Sequence, residues 1–168
     1  MNAQLILTVM ADDQPGIVEK VSSVVADHQG NWQESRMARM AGKFAGIVRV
    51  DCPETQLNKL LSALDKLQSS GIRILVDHSG EETEASGTQV ELTVTGNDRP
   101  GIIQEVSHCL AQLGANVLNL DSHCGSAAMS AGAIFVAKVS VCTPAQMDQS
   151  ELVQAVEELS DDLVVDIT

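Results

Sequence analysis

Leu5, Leu7 and Val9 alternate with Ile6, Thr8 and Met10, a two-residue period that predicts a strand with one buried face. A turn at Asp13-Gln14-Pro15-Gly16 follows, and Pro15 suits a first helical position, where its missing N–H costs nothing. Ile17, Val18, Val21, Val24, Val25 and His28 then fall on one helical face. Gly30-Asn31 is expected to end that helix, because both residues tolerate left-handed backbone. Trp32 to Met40 reads as a strand with a mixed pattern, 41–43 as a turn, and Phe44 to Cys52 as a firmer strand. Pro53 opens a second helix with an apolar stripe at Leu57, Leu60, Leu61, Leu64 and Leu67. Ser69-Ser70-Gly71 stops it, and Ile72 to Val76 forms the last strand, giving the order βαββαβ.

The pattern then repeats. Asp13-Gln14-Pro15-Gly16-Ile17-Val18 returns as Asp98-Arg99-Pro100-Gly101-Ile102-Ile103, displaced by 85 residues. At the same offset Val90, Leu92 and Val94 replay Leu5, Leu7 and Val9, and Glu91, Thr93 and Thr95 stand for Ile6, Thr8 and Met10. Ile102, Ile103, Val106, Cys109, Leu110 and Leu113 form the second first-helix face, and Ala115-Asn116 matches Gly30-Asn31. A small-residue loop over Cys124 to Gly132 lengthens the strand pair. Phe135 to Cys142, a helix from about Ala145 to Leu159, and Leu163 to Ile167 complete the copy. Ser79 to Gly87 has almost no apolar content and divides the copies, so the expected domains are 1–79 and 88–168 with an acidic linker at 80–87. The fold class is α+β, as two ferredoxin-like βαββαβ domains, each an antiparallel sheet with helices on one face. A lone sheet leaves edges and one face open, which points to side-by-side pairing of the copies and to a homo-oligomer.

Composition sharpens this by exclusion. With two Phe, one Trp and no Tyr, the cores must be built from aliphatic residues and Met. Acidic residues outnumber basic ones 23 to 10, and neither a basic run nor an aromatic cluster is present, which argues against direct nucleic-acid or anionic-membrane binding. The first ten residues lack a basic flank, and Asp12 and Asp13 break the apolar run, so no leader or membrane span is read there. Cys52, Cys109, Cys124 and Cys142 show no C-x-x-C spacing and are expected as reduced thiols in the cytoplasm.

The repeated turn is the candidate site. Asp-x-Pro-Gly can merely start a helix, its carboxylate satisfying orphan N–H groups. Yet Gly16 and Gly101 stand where a side chain would obstruct the helix N-terminus, whose partial positive charge holds carboxylates. Asp13 or Asp98 could meet an ammonium group, and Asn31 or Asn116 could add an amide, a geometry suited to a free amino acid. Cys109 falls at a core position equivalent to Val24, and His108 on the polar face with Ser23. His28 matches Leu113 and is expected to be partly buried. Only His123-Cys124 stays open as a thiol or metal position; no triad, paired-carboxylate or phosphate-loop signature stands out, so no catalytic residue, metal or cofactor is expected.

Strand, Asp-x-Pro-Gly-Ile, helix and Gly-Asn or Ala-Asn within βαββαβ resembles the ACT domain, a regulatory module that binds amino acids. Two tandem copies cover essentially the whole chain. More narrowly, Glu34-Ser35-Arg36-Met37-Ala38 and Phe44-Ala45-Gly46-Ile47 resemble the glycine cleavage system transcriptional repressor family. That resemblance implies a non-enzymatic, glycine-responsive repressor acting through a separate DNA-binding regulator. It carries the ligand-binding residues to Asp13, Gly16, Ile17 and Asn31, and to Asp98, Gly101, Ile102 and Asn116. Such modules bind at the seam between two copies. An ACT-type subunit controlling a biosynthetic enzyme is the alternative, and a small enzyme using His123 or Cys124 a further one.

Overall fold

The computed structural model describes residues 1–82, 86–126 and 132–168. The chain divides into two compact units, Met1–Glu82 and Thr83–Thr168. The first unit runs β1 (Asn2–Asp12), α1 (Ile17–Asp27), β2 (Asn31–Met40), β3 (Lys43–Pro53), α2 (Glu54–Lys66), a 3-10 turn at Leu67–Ser70 and β4 (Arg73–His78). The second runs β5 (Gly87–Asn97), α3 (Ile102–Gln112), β6 (Asn116–Ser126), β7 (Ala133–Pro144), α4 (Gln149–Glu157) and β8 (Val164–Ile167). Each unit holds one antiparallel sheet, ordered β2-β3-β1-β4 and β6-β7-β5-β8, which is the ferredoxin-like βαββαβ arrangement.

The period-2 pattern sorts the faces. Leu5, Leu7, Val9 and Ala11 of β1 are buried with Val48, Val50 and Cys52 of β3, beneath Ile17, Val21 and Val25 of α1 and Leu60 and Leu64 of α2. The second core repeats this with Val90, Leu92 and Val94 against Val139 and Val141, and with Ile102, Val106, Cys109 and Leu110 above them. Cys109 is a core residue, as its position on the helix predicts. His28 is half-buried and its Nδ1 lies 2.8 Å from the Val24 carbonyl. Val18, expected on the apolar face of α1, is instead 44% exposed beside the motif turn.

Several local expectations are corrected. Pro15 lies before α1, not in its first turn; Gly16 (φ 92°, ψ 4°) has the conformation of the third residue of a type II turn, which favours Pro immediately before it. The left-handed residue after α1 is Gln29 (φ 59°) rather than Gly30, and its counterpart 85 positions on is Gly114 (φ 73°) rather than Ala115. Gly30 serves packing: a Cβ there would come within 2.7 Å of Val25 Cγ1. α4 starts at Gln149, not near Ala145, because the Asp148 carboxylate accepts from Ser150 N and fixes the start there. Cys124 to Ser126, expected in a loop, belong to β6; residues 127–131 of that loop lie outside those described.

Candidate functional site

The Asp-x-Pro-Gly turns carry β1 into α1 and β5 into α3. Gly16 (φ 92°) and Gly101 (φ 91°) take the same left-handed conformation, and a Cβ at either would meet nothing within 4 Å. Backbone conformation therefore calls for glycine here, while room for added atoms remains. No side chain caps either helix, so the Asp carboxylates do not play the capping role open to them in sequence. The first helical bonds are donated by Lys20 N to Gly16 O and by Glu105 N to Gly101 O, both at 3.0 Å. The N–H groups of the preceding turn thus have no intrahelical acceptor and present a partial positive charge.

In the first unit these N–H groups border a shallow pocket of about 290 Å³ lined by Asp13, Gln14, Gly16, Ile17, Val18, Glu19 and Phe44. Asp13 is anchored by its own N–H, which donates to Gly42 O at 3.0 Å, and its carboxylate lies 3.7 Å from Arg39 Nη1. Ile17 is buried, so it offers the pocket its backbone more than its side chain. Nearby, Lys43 donates to Asp12 and holds that carboxyl below the usual carboxylate range, by the hydrogen bond first and by charge second.

The second turn shares the backbone and differs in side chains. Asp98 N donates to Ala133 O at 2.9 Å, the equivalent of the Asp13 anchor. Arg99, which replaces Gln14, forms a two-pronged ion pair with Glu105 at 2.6 and 3.1 Å. That pair lowers the Glu105 pKa and raises that of Arg99. Opposite Asp98 stands the exposed Cys124, whose thiol is pushed up by desolvation and then by a hydrogen bond to Asp98.

Register shows what the motif alone hides. Arg39 pairs with Phe44 across β2–β3, and Cys124 pairs with Phe135 across β6–β7. Phe44 and Phe135 in turn oppose Ala11 and Gly96, so Arg39 and Cys124 occupy one structural position facing the two motif aspartates. Sequence reasoning missed this pair, although the 85-residue offset that relates the turns also relates Arg39 to Cys124.

The asparagines do not join these turns within a unit. Asn31 pairs with Asp51, which opposes Gln4, and Asn116 pairs with Cys142, which opposes Gln89. Nine residues of strand separate Gln4 from Asp13, so Asn31 lies roughly 30 Å from its motif aspartate, at the other end of the sheet. His123 and Cys124 are adjacent on β6, so their side chains leave opposite faces and cannot act together. Among the described residues no cluster of three or more His, Cys, Asp or Glu side chains is arranged to hold a metal, and no helix is long and apolar enough to cross a membrane.

Two βαββαβ units, each with an uncapped left-handed glycine turn between its first strand and first helix, define a tandem ferredoxin-like protein. The ACT domain family model matches residues 3–76 and again 88–168. The chain therefore belongs to the ACT domain family, as two tandem copies. An unknown protein from Galdieria sulphuraria has the same fold at a TM-score of 0.80 and 28% identity, covering 99% of this chain and 98% of that one. A "putative glycine cleavage system transcriptional repressor" superposes at a TM-score of 0.74 over 100% of this chain and 97% of that one; at 17% identity it shares the fold. A UPF0237 protein from Methanopyrus kandleri is 33% identical over 76 residues, which are 44% of this chain and 84% of the relative.

Proposed function

We propose that this chain is a non-enzymatic sensor of a small amino acid, glycine by preference, bound at the Asp-x-Pro-Gly turns. The observation that carries it is the first turn in an ACT family chain: uncapped helix N–H groups, an anchored Asp13 and a pocket of about 290 Å³ meet at one point. The α-carboxylate sits against the helix N-terminus and the α-ammonium against Asp13, displacing Arg39. A pocket at the lower end of the usual range for small-molecule sites suits a ligand with little side chain. Five heavy atoms at about 1.5 kcal/mol each limit the affinity to roughly micromolar, so the site reads a metabolic pool and not traces.

Repression is the output favoured by the likeness of residues 34–38 and 44–47 to the glycine cleavage repressors and by the fold shared with the protein of that description. The acidic balance of the chain assigns the DNA contact to a partner regulator, whose affinity changes when the amino acid selects one conformation. Calorimetry of the purified chain against each of the twenty amino acids tests the sensor. Micromolar to submillimolar binding of glycine that Asp13→Ala weakens is expected, and heat from no amino acid refutes it. Affinity capture from cells tests the output: recovery of a DNA-binding regulator supports repression, and recovery of a biosynthetic enzyme would redirect the same sensor to enzyme control.

A further inference from the structure

The face of each sheet that the helices leave uncovered has one geometry and two chemistries. In the first unit the register stacks Arg36, Ile47, Thr8 and Leu75 in one row across the four strands. The row on one side contains Ala38, Ala45, Met10 and Arg73, and the row on the other contains Ile6 and Asp77 beside the Glu34–Arg49 ion pair. Leu75 is 72% exposed, Ile47 52% and Met10 40%. The equivalent positions of the second unit are occupied by polar or charged residues: Lys138 for Ile47, Asp166 for Leu75, Thr95 for Met10 and Glu91 for Ile6. The duplicated fold supplies its own control. The second unit stands with a mostly polar outer face, Val164 at the position of Arg73 being its exposed apolar residue, so the larger apolar set of the first unit is not a requirement of folding. Ordinary single exposed apolar residues need no explanation, whereas a contiguous set at odds with its own repeat does.

The charges around this patch select its occupant. On β4, Arg73, Leu75 and Asp77 follow one another on the open face, with a cation and an anion two residues either side of the leucine. A two-fold axis through Leu75, perpendicular to the strand and in the plane of the interface, sets Leu75 on its own copy. The same axis sets Arg73 opposite Asp77 of the copy and Met10 opposite Ile6, two symmetric attractive pairs beside the centre, and it brings Arg36 toward Arg36 of the copy only at the far edge strand, where sheet twist parts the faces. Among the described residues, neither Arg73 nor Asp77 takes part in an ion pair; Arg73 lies over the Met10 sulfur at 3.1 Å. We propose that the uncovered face of the first sheet is a self-complementary docking surface for a second copy of this chain, the two faces meeting antiparallel about Leu75. Four strands and the seven-residue span from Gln4 to Met10 give a plan area of roughly 400 Å² per protomer, about half that of a standard stable interface. The dimer is accordingly weak and set by concentration, and it is independent of the amino-acid site.

Sedimentation equilibrium of the full chain across the micromolar range tests this. A reversible monomer–dimer equilibrium is expected. R73D and D77R alone each place like charges across the axis and should raise the dissociation constant by about tenfold or more, while the combined R73D/D77R chain restores it. L75D, which removes the apolar centre without touching the pair, should leave only monomer. All three positions of substitution are surface ones, so unchanged circular dichroism and melting confirm folding. The proposal is overturned by a monomer at every concentration, by a dimer indifferent to these substitutions, or by a double variant no better than the singles. The last result would point to a partner other than a second copy, since only a copy carries the compensating charge.

Discussion

Gly16→Ala isolates what the motif glycine does. Its backbone sits at φ 92°, ψ 4°, and an added Cβ would meet no atom within 4 Å. Steric collision is therefore absent, and the whole cost is that of forcing an L-residue into left-handed backbone, about 1–2 kcal/mol. A stiffer unfolded chain acts through the other side of the equilibrium but does not reverse the sign where φ is positive. A net loss near 1 kcal/mol corresponds to a fall of about 4–8 °C in the melting point of a unit this size. Gly101, at φ 91° and ψ 1°, is a replicate within the same chain and should lose the same amount. Urea melts followed by hydrogen exchange assign each loss to its own unit. Because the turn also aims the helix N–H groups, glycine affinity at the altered turn should fall with it. Wild-type stability for both variants would refute the argument, and a loss beyond about 4 kcal/mol would show that the space is not free.

Asp13→Ala combined with Asp98→Ala should weaken amino-acid binding about tenfold, the worth of a charge-assisted contact at an open site, with little change in melting because the Asp13–Arg39 pair is exposed; calorimetry and a thermal melt on one sample separate the two. Gly46→Ala should be more damaging than Gly16→Ala, by about 1–3 kcal/mol, since its Cβ would lie 2.2 Å from Arg36 O and β2 would have to move; a chemical melt measures it. The Glu105 carboxyl is depressed by Arg99, so its contribution is present above the ordinary glutamate pKa, about 4.3, and is lost as pH falls through the lower folded value. Stability curves of wild type and Glu105→Gln should hence run parallel near neutrality and converge in acid. Cys124 should alkylate more slowly than an unhindered thiol near neutral pH, and Asp98→Asn should speed it, as the carboxylate is one of the causes holding the proton on sulfur.

The regular elements were legible because burial writes itself into periodicity. Leu5, Leu7 and Val9, and the stripe through Leu60 and Leu64, are where alternation and 3.6-residue spacing put them. What failed was local. Gln29, a residue with no propensity for left-handed backbone, carries the turn that Gly30 was expected to make, because Gly30 is needed for close contact with Val25. Pro15 belongs to a turn and not to the helix, a distinction decided by the φ of its neighbour and invisible in composition. For the site, the motif residues were legible as a motif, but spacing could not say that α1 carries Asn31 to the far end of the sheet. Sequence adjacency joined His123 to Cys124, and strand geometry separates them.

The two copies have diverged where the fold leaves them free. Both keep the left-handed glycine, the anchored aspartate N–H and the aromatic residue beneath the turn, Phe44 or Phe135. Position 39 and its repeat at 124 differ instead: a guanidinium faces Asp13, and a protonated thiol faces Asp98. On the proposed reading, an ammonium entering the first turn would displace the exposed Arg39 from Asp13, whereas at the second turn it would meet the neutral thiol of Cys124. Eight of the ten Lys and Arg residues lie within residues 1–82, and twelve of the 23 acidic residues lie beyond them, so both units are negative but the second far more so, and the same zwitterion meets fields of unequal strength at the two turns. On that reading, identical backbones in unlike fields would bind one ligand with two affinities, and a tandem sensor built this way would respond over a wider range of concentration than two equal sites could.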